Sequence, residues 1–264
     1  MKNVIVPLNA FNRNEVLEKG QESFIEKIAL SGAYGIEIRR ELFPEGEMPL
    51  EKIKMEIEKF KLFTVFSAPI ELWNSGAQLN KELLRRTFVE ARKLGASWVK
   101  TSLGHYQTER SNCLELKQLL EELIDEDETL QLLVENDQTM HGGNVYRLKA
   151  FFESASLNGV PVKMTFDTGN WYYTNQNLHY AFEQLAPFVG YLHLKHVETV
   201  KNGLVTLPLP DDKNGEWRQI VNQFPASLTK AIEFPIDPIS EIKHFIEMVQ
   251  KAVVKESGGI ICKI

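Results

Sequence analysis

The stretch Val162–Trp171, VKMTFDTGNW, is an apolar run that stops abruptly in Asp-Thr-Gly-Asn. A chain that buries Val162, Met164 and Phe166 and then presents Asp167 ahead of a glycine is leaving a core strand for a loop that holds a carboxylate. The same construction recurs in LQLLVEND, which reaches Glu135, in VGYLHLKH, which reaches His193, and in LTKAIEFP, which reaches Glu233. Four buried strands, each delivering one oxygen or nitrogen ligand at its C-terminal end, predict a single metal site on one face of a parallel barrel.

Working outward, short β-branched apolar runs alternate with longer amphipathic segments along the whole chain. The predicted strands are Val4–Leu8, Gly35–Arg39, Phe63–Ser67, Trp98–Ser102, Gln131–Asn136, Val162–Asp167, Gly190–Lys195 and Thr229–Phe234. Between them, helical spacing of apolar residues covers Gln21–Ser31, Leu50–Phe60, Lys81–Leu94, Cys113–Ile124, Val145–Leu157, Leu178–Leu185 and Trp217–Phe224, and a last helix runs over Ile239–Val254. Gly32, Gly95 and Gly159 each follow a helix and precede a strand, where a left-handed cap is expected. Eight strands alternating with eight helices give an α/β fold, a single (β/α)8 TIM barrel spanning residues 1–264. The loops after the strands carry the unusual residues: Ala68-Pro69 to Ala77, Gly104-His105-Tyr106, Asp137 to Gly143 and Glu198 to Asn214. That asymmetry puts function on the C-terminal face of the barrel. The tail Ser257–Ile264 is expected to pack its isoleucines on the barrel or on a neighbouring subunit.

Bulk properties narrow the function. The 264 residues are 43% hydrophobic and 25% charged, enough for one large core, and a net charge of -6 without a Lys/Arg block argues against nucleic acid or an anionic membrane as partner. Two cysteines, Cys113 and Cys262, lack metal-knuckle spacing and imply no disulfide framework. With no signal-peptide core and no apolar run near the ~20 residues of a membrane span, a soluble cytoplasmic protein is expected.

Glu135, Asp167, His193 and Glu233 together form a mixed oxygen/nitrogen set without thiolate, suited to one divalent ion: Mn2+ as the preferred choice, or Mg2+, Co2+ or Zn2+. Three carboxylates buried together require a cation or protonation. Lys195 lies on the same side of its strand as His193 and could polarise a substrate oxygen. His105, just past the fourth strand, reads as a sugar-hydroxyl contact or a surface histidine. Glu37 and Arg39 share one side of the second strand, as a buried ion pair or as substrate recognition. Asn136 and Asp137 adjoin Glu135 and are expected to orient it. Trp171, Trp73 and Phe11 fall in loops of the predicted active face, where aromatic rings pack against sugars or simply against the barrel. His141, His179 and His244 read as structural or exposed, and His196 as a loop residue.

The pattern VEND, FDTGNW, HLKH and IEFP, with 26 residues from Asp167 to His193, resembles the xylose isomerase-like TIM-barrel superfamily, the sugar phosphate isomerases/epimerases. This group includes ketose 3-epimerases, hydroxypyruvate isomerase and inosose dehydratase, and the resemblance covers nearly the whole chain from GIEIRRE onward. It implies one divalent metal on the four residues above, with Glu135 and Glu233 as the acid/base pair and Asp167 and His193 as ligands only. It also implies a small-molecule carbohydrate substrate and a homo-oligomer, dimer or tetramer. Ketose 3-epimerases show Asp-x-x-His on the sixth strand, whereas Asn170 stands at that position here and becomes the expected substrate contact. The endonuclease IV relatives hold three zinc ions with many histidines, which six histidines and a strand ending in Ser67-Ala68-Pro69 do not match. The reading is a metal-dependent isomerase or epimerase that acts on a keto-sugar or polyol derivative through an enediolate. Its alternatives are an inosose dehydratase-like lyase, a non-catalytic sugar-binding barrel and an endonuclease IV-like phosphohydrolase.

Overall fold

In a computed structural model that describes residues 3–46, 48–125 and 129–252, eight parallel strands close on themselves. They are β1 (Val4–Pro7), β2 (Gly35–Arg39), β3 (Phe63–Trp73), β4 (Trp98–Gly104), β5 (Gln131–Glu135), β6 (Val162–Asp167), β7 (Val189–Leu194) and β10 (Thr229–Ile232). The order around the barrel follows the chain, and β10 returns to pair with β1. This is the single (β/α)8 barrel that the alternation of segments predicts.

The helices form where apolar residues recur with helical period. In α3 (Leu50–Phe60) the buried residues are Leu50, Ile53 and Ile57. In α4 (Lys81–Leu94), which packs beside it, Leu84, Phe88, Ala91 and Leu94 face inward. Gly95 ends α4 in the left-handed region at φ 71° and returns its N–H to Ala91. Helices α5 (Cys113–Leu123), α6 (Val145–Leu157), α8 (Leu178–Leu185) and α10 (Ile242–Ala252) repeat the pattern.

Strand parity divides the barrel interior into layers. Register pairs Glu37 with Val65, Lys100 with Leu133, Thr165 with Tyr191, and Asp167 with His193, so these side chains share the inner face. The floor is apolar: Ile5, Val65, Leu133, Tyr191 and Ala231 form one buried cluster, with Tyr34, Phe63 and Trp98 packed against it. The upper layer, toward the C-terminal ends, carries charge.

Several boundaries differ from the sequence expectation. β3 does not stop at Ser67; a bulge between Ser67 and Glu71 absorbs Pro69, and the strand then resumes, pairing Glu71 with Ser102 and Trp73 with Gly104. The long segment after β7 folds into an antiparallel hairpin, β8 (His196–Val200) with β9 (Gly203–Leu207). The segment Gln21–Ser31 is a 3-10 turn leading into α2 (Ile25–Leu30), and it is preceded by α1 (Arg13–Lys19), whose start is capped by Asn12 accepting from the N–H groups of Asn14 and Glu15. Short helices α7 (Asn170–Tyr173) and α9 (Glu216–Val221) complete the set. The tail Ser257–Ile264, with Cys262, lies outside the described residues. No helix among the described residues is long and apolar enough to cross a membrane.

Candidate metal centre

The ends of β5, β6, β7 and β10 bring Glu135, Asp167, His193 and Glu233 together, with one ligand atom from each within 4.8 Å of the others. Asp167 and His193 are fully buried and Glu233 is nearly so. Each residue divides its two polar atoms between tasks. Glu135 Oε2 accepts from Lys100 at 2.6 Å, Asp167 Oδ1 accepts from the N–H groups of Gly169 and Asn170, and Glu233 Oε1 accepts from Arg39 at 2.9 Å and Asn9 at 3.0 Å. His193 Nε2 is 3.2 Å from Glu37 Oε2.

The other four atoms face a common point. His193 Nδ1 lies 3.1 Å from Glu135 Oε1, 3.1 Å from Glu233 Oε2 and 3.8 Å from Asp167 Oδ2. None of these contacts is a hydrogen bond, and Glu135 Oε1, Asp167 Oδ2 and His193 Nδ1 are buried atoms without a hydrogen-bond partner. Three oxygens and one imidazole nitrogen turned toward one point, three of these four atoms without a hydrogen-bond partner, fit a divalent ion. The Glu37 carboxylate behind His193 suits the tautomer that leaves Nδ1 free to ligate.

Three cations surround the cluster, Lys100 and Lys195 buried and Arg39 mostly so. Lys100 reaches Glu135 and, at 3.2 Å, Glu37. Arg39 binds Glu37, Glu41 and Glu233. Lys195 Nζ is 2.8 Å from both Asp167 Oδ2 and Glu233 Oε2, and its stem runs past Gly169, where an added Cβ would lie 2.2 Å from Lys195 Cγ. Glycine at 169 is therefore what gives the lysine its path. Four carboxylates (Glu37, Glu135, Asp167, Glu233) against three permanent cations leave one excess negative charge, which a divalent ion would turn into one excess positive charge.

The same partners set the ionisation. Burial opposes charge on Glu37 and Glu135, but Lys100 and His193 outweigh it; at Glu233 Lys195 and His193 do so, and all three carboxyls are held below their ordinary range. At Asp167 burial prevails over Lys195, Glu233 adds to it, and the carboxyl is pushed up to about 7. For His193, burial and Lys100 oppose the charged form, while Glu233, Glu37 and Glu135 outweigh them and raise its pKa.

The remaining residues expected to contact substrate divide. Lys195 joins the cluster, and Glu37 and Arg39 form a buried ion pair that backs His193 and Glu233. Asn170 is buried and committed, donating to Asn136 O and accepting from Gln138 and Lys195. Trp171 is a correction: it is fully buried, packed against Phe166 with ring centroids 5.3 Å apart, and so serves the core. Trp73 is likewise a buried β3 residue against Tyr106. Asn136 locks Asp167 by exchanging two hydrogen bonds with its backbone. His105 stands away from the cluster, stacked on His141. Lys100, Asn9 and Tyr191 went unread in the sequence. Lys100 carried a signal, a lysine between Val99 and Thr101 inside an apolar strand with the parity of the inner face. Tyr191, whose hydroxyl donates to Glu37 at 3.0 Å, looked like any strand aromatic.

No protein-family model matches the chain, and no curated protein matches it in sequence. Solved structures of the same fold do. A xylose isomerase domain containing protein from Salmonella typhimurium is similar over 95% of this chain and 96% of its own, with TM-score 0.66 and 15% identity. The IolI protein, solved with a zinc atom bound, is similar over 95% and 96% with TM-score 0.63 and 12% identity. A D-psicose 3-epimerase from Clostridium cellulolyticum, solved with D-tagatose, is similar over 95% and 96% with TM-score 0.62 and 12% identity. The chain thus has the fold of the xylose isomerase-like barrels.

Proposed function

We propose that the chain is a divalent-metal-dependent enzyme that isomerises or epimerises a keto-sugar or related polyol derivative. One observation carries the reading: Glu135, Asp167, His193 and Glu233 each fasten one polar atom to the protein and turn the other toward a shared point, where Glu135 Oε1, Asp167 Oδ2 and His193 Nδ1 are buried without a hydrogen-bond partner. The fold is also that of proteins described as sugar epimerases and of one that carries zinc.

Bound there, a divalent ion would polarise a substrate carbonyl and acidify the neighbouring C–H. The chain's own residues do the rest. Glu135 and Glu233 reach the point from strands three places apart in the barrel, so one can take a proton from carbon while the other returns it from another side. Return to the opposite face is epimerisation, and return to the adjacent carbon is isomerisation. Lys100 and Arg39 anchor the outer oxygens of the two glutamates and fix their orientation. Lys195 brings an ammonium to the edge of the cluster, beside a cavity of about 200 Å³ lined by Thr168, Tyr172, His196 and Trp217, where it can hold a developing oxyanion. The same ammonium favours a second reading, dehydration, since it can protonate a departing hydroxyl.

The test is mass spectrometry of keto-sugars, keto-glycosides and inososes after incubation with Mn2+-loaded enzyme in D2O. One deuterium gained on carbon is the expected result. A product lighter by one water would move the assignment to the dehydratase. No change in any compound, with metal demonstrably bound, would overturn both.

A further inference from the structure

A second group of ionisable side chains stands outside the central cluster. Glu71, His105 and His141 each place one ligand atom within 4.8 Å of the others. His141 Nε2 is 2.8 Å from Glu71 Oε1, and His105 Nε2 is 3.8 Å from Glu71 Oε2. The two imidazoles stack with centroids 3.7 Å apart and planes 19° apart. Both rings thus turn the same nitrogen toward one carboxylate, and all three side chains are a quarter to a third exposed.

The mounting is rigid. Glu71 sits on the resumed part of β3, paired with Ser102 of β4. His105 follows β4 and donates its N–H to Trp73 O at 2.8 Å. This close approach needs Gly104, at φ 69°, where a Cβ would lie 2.3 Å from Trp73 O and 2.7 Å from Glu71 Cβ. His141 is held in a loop tied by Asp137 Oδ1, which accepts from the N–H and hydroxyl of Thr139, and by the Thr139 hydroxyl, which accepts from Gly142 N–H. Three donors on three separately braced backbones give an ion site a fixed frame within which the side chains can turn.

We propose that Glu71, His105 and His141 form a second divalent-metal site at the rim of the barrel, one that takes a borderline ion such as Zn2+ or Co2+. Two imidazoles and one carboxylate are a ligand set for such ions, and the exposed side leaves positions for water. The in-plane lone pairs of two stacked rings do not converge at bonding distance, so the imidazoles turn out of their stack when the ion enters, and the ion replaces the proton between His141 and Glu71. Glu71, Ser102 and Glu135 are successive register partners across β3, β4 and β5, which separates this site from the central one by two strand spacings, roughly 10 Å. The inference does not depend on the reading of the central cluster. The plainer role for these residues is a latch that ties the His141 loop to β3 by one hydrogen bond.

Counting bound ions separates the two. Calorimetric Zn2+ titration, with Co2+ absorption as a second readout, is run on the wild-type chain, H105A/H141A, Glu71→Gln and Asp167→Asn, after melting curves in chelator establish that each is folded. The wild type should bind about two equivalents, the two rim variants about one, and Asp167→Asn should keep the equivalent whose Co2+ spectrum the rim variants lose. Rim variants that bind as many ions as the wild type, with unchanged Kd and spectrum, would overturn the proposal and leave the latch. A single equivalent lost in the rim variants but kept in Asp167→Asn would uphold the rim site and remove the central one.

Discussion

Leu133 and Glu135 stand two residues apart on β5 and point the same way, yet one belongs to a dry apolar floor and the other to an ionic layer. On the floor, Ile5, Val65, Leu133, Tyr191 and Ala231 fill the barrel with little polar content to satisfy. One turn of the pleat higher, every charged group has a named opposite partner: Lys100 for Glu135 and Glu37, Arg39 for Glu37 and Glu233, and Lys195 for Asp167 and Glu233. The difference teaches how one scaffold serves two ends. Apolar packing below holds the strand register, and that register spaces the charges above closely enough to compensate one another out of contact with bulk water.

The sharpest way to break this division is to change each layer on the same strand. Glu135→Gln removes one of four carboxylates facing three cations, so the metal-free charge balance becomes neutral and the fold should tolerate it. Turnover of whichever substrate the deuterium assay identifies should fall by ~10²–10⁴, the scale of a lost general acid or base. A folded variant that retains near-native turnover would take Glu135 out of the acid/base pair. Leu133→Ala should behave in the opposite sense. It opens a cavity in the floor and should lower unfolding free energy by ~2–5 kcal/mol, measured by denaturant titration, while the number of bound metal ions stays the same. Loss of metal at native stability in Leu133→Ala would show that the floor does more than support.

The same contrast explains what the sequence discloses. Strand-end residues are legible because a buried apolar run that breaks into Asp, Glu or His has few other meanings, and the structure brings Glu135, Asp167, His193 and Glu233 to one place. The barrel itself is legible because short apolar strand segments alternate with amphipathic helical ones along the whole chain. Lys100 was readable by parity, since Trp98, Lys100 and Ser102 alternate with the outward Val99, Thr101 and Leu103, but an apolar strand invites no search for a lysine. The rim cluster was not readable. Ala68-Pro69 signals the end of a strand, and only the three-dimensional bulge lets β3 continue to Glu71. His141 meets Glu71 from 70 residues away, and no local pattern carries that distance. Trp171 and Trp73 were open to two readings for a related reason: an aromatic residue beside a polar turn looks the same in sequence whether it faces the cleft or, as here, the core.

Tyr191 is where the two layers meet, and it yields the mildest test. Its ring belongs to the apolar floor, edge-on to His193 with centroids 4.5 Å apart, while its hydroxyl donates to Glu37 Oε2. Glu37 in turn faces His193 Nε2, so the hydroxyl steadies the carboxylate that orients the imidazole. Tyr191→Phe keeps the ring and deletes only that donor. Glu37 retains Arg39, Lys100 and His193 as partners, so the variant leaves no bare charge, and the expected loss is that of one hydrogen bond to an ionised group, ~1.5–3 kcal/mol. Metal affinity should fall by less than about tenfold, below the ~10–100-fold range for removing a carboxylate behind a ligating histidine, which Glu37→Gln should reach. Denaturant titration with and without metal measures both quantities on the same samples. If Tyr191→Phe weakened metal binding as much as Glu37→Gln, the hydroxyl would be part of the ionic layer in its own right, and the boundary between floor and site would lie one inward-facing position lower on β7.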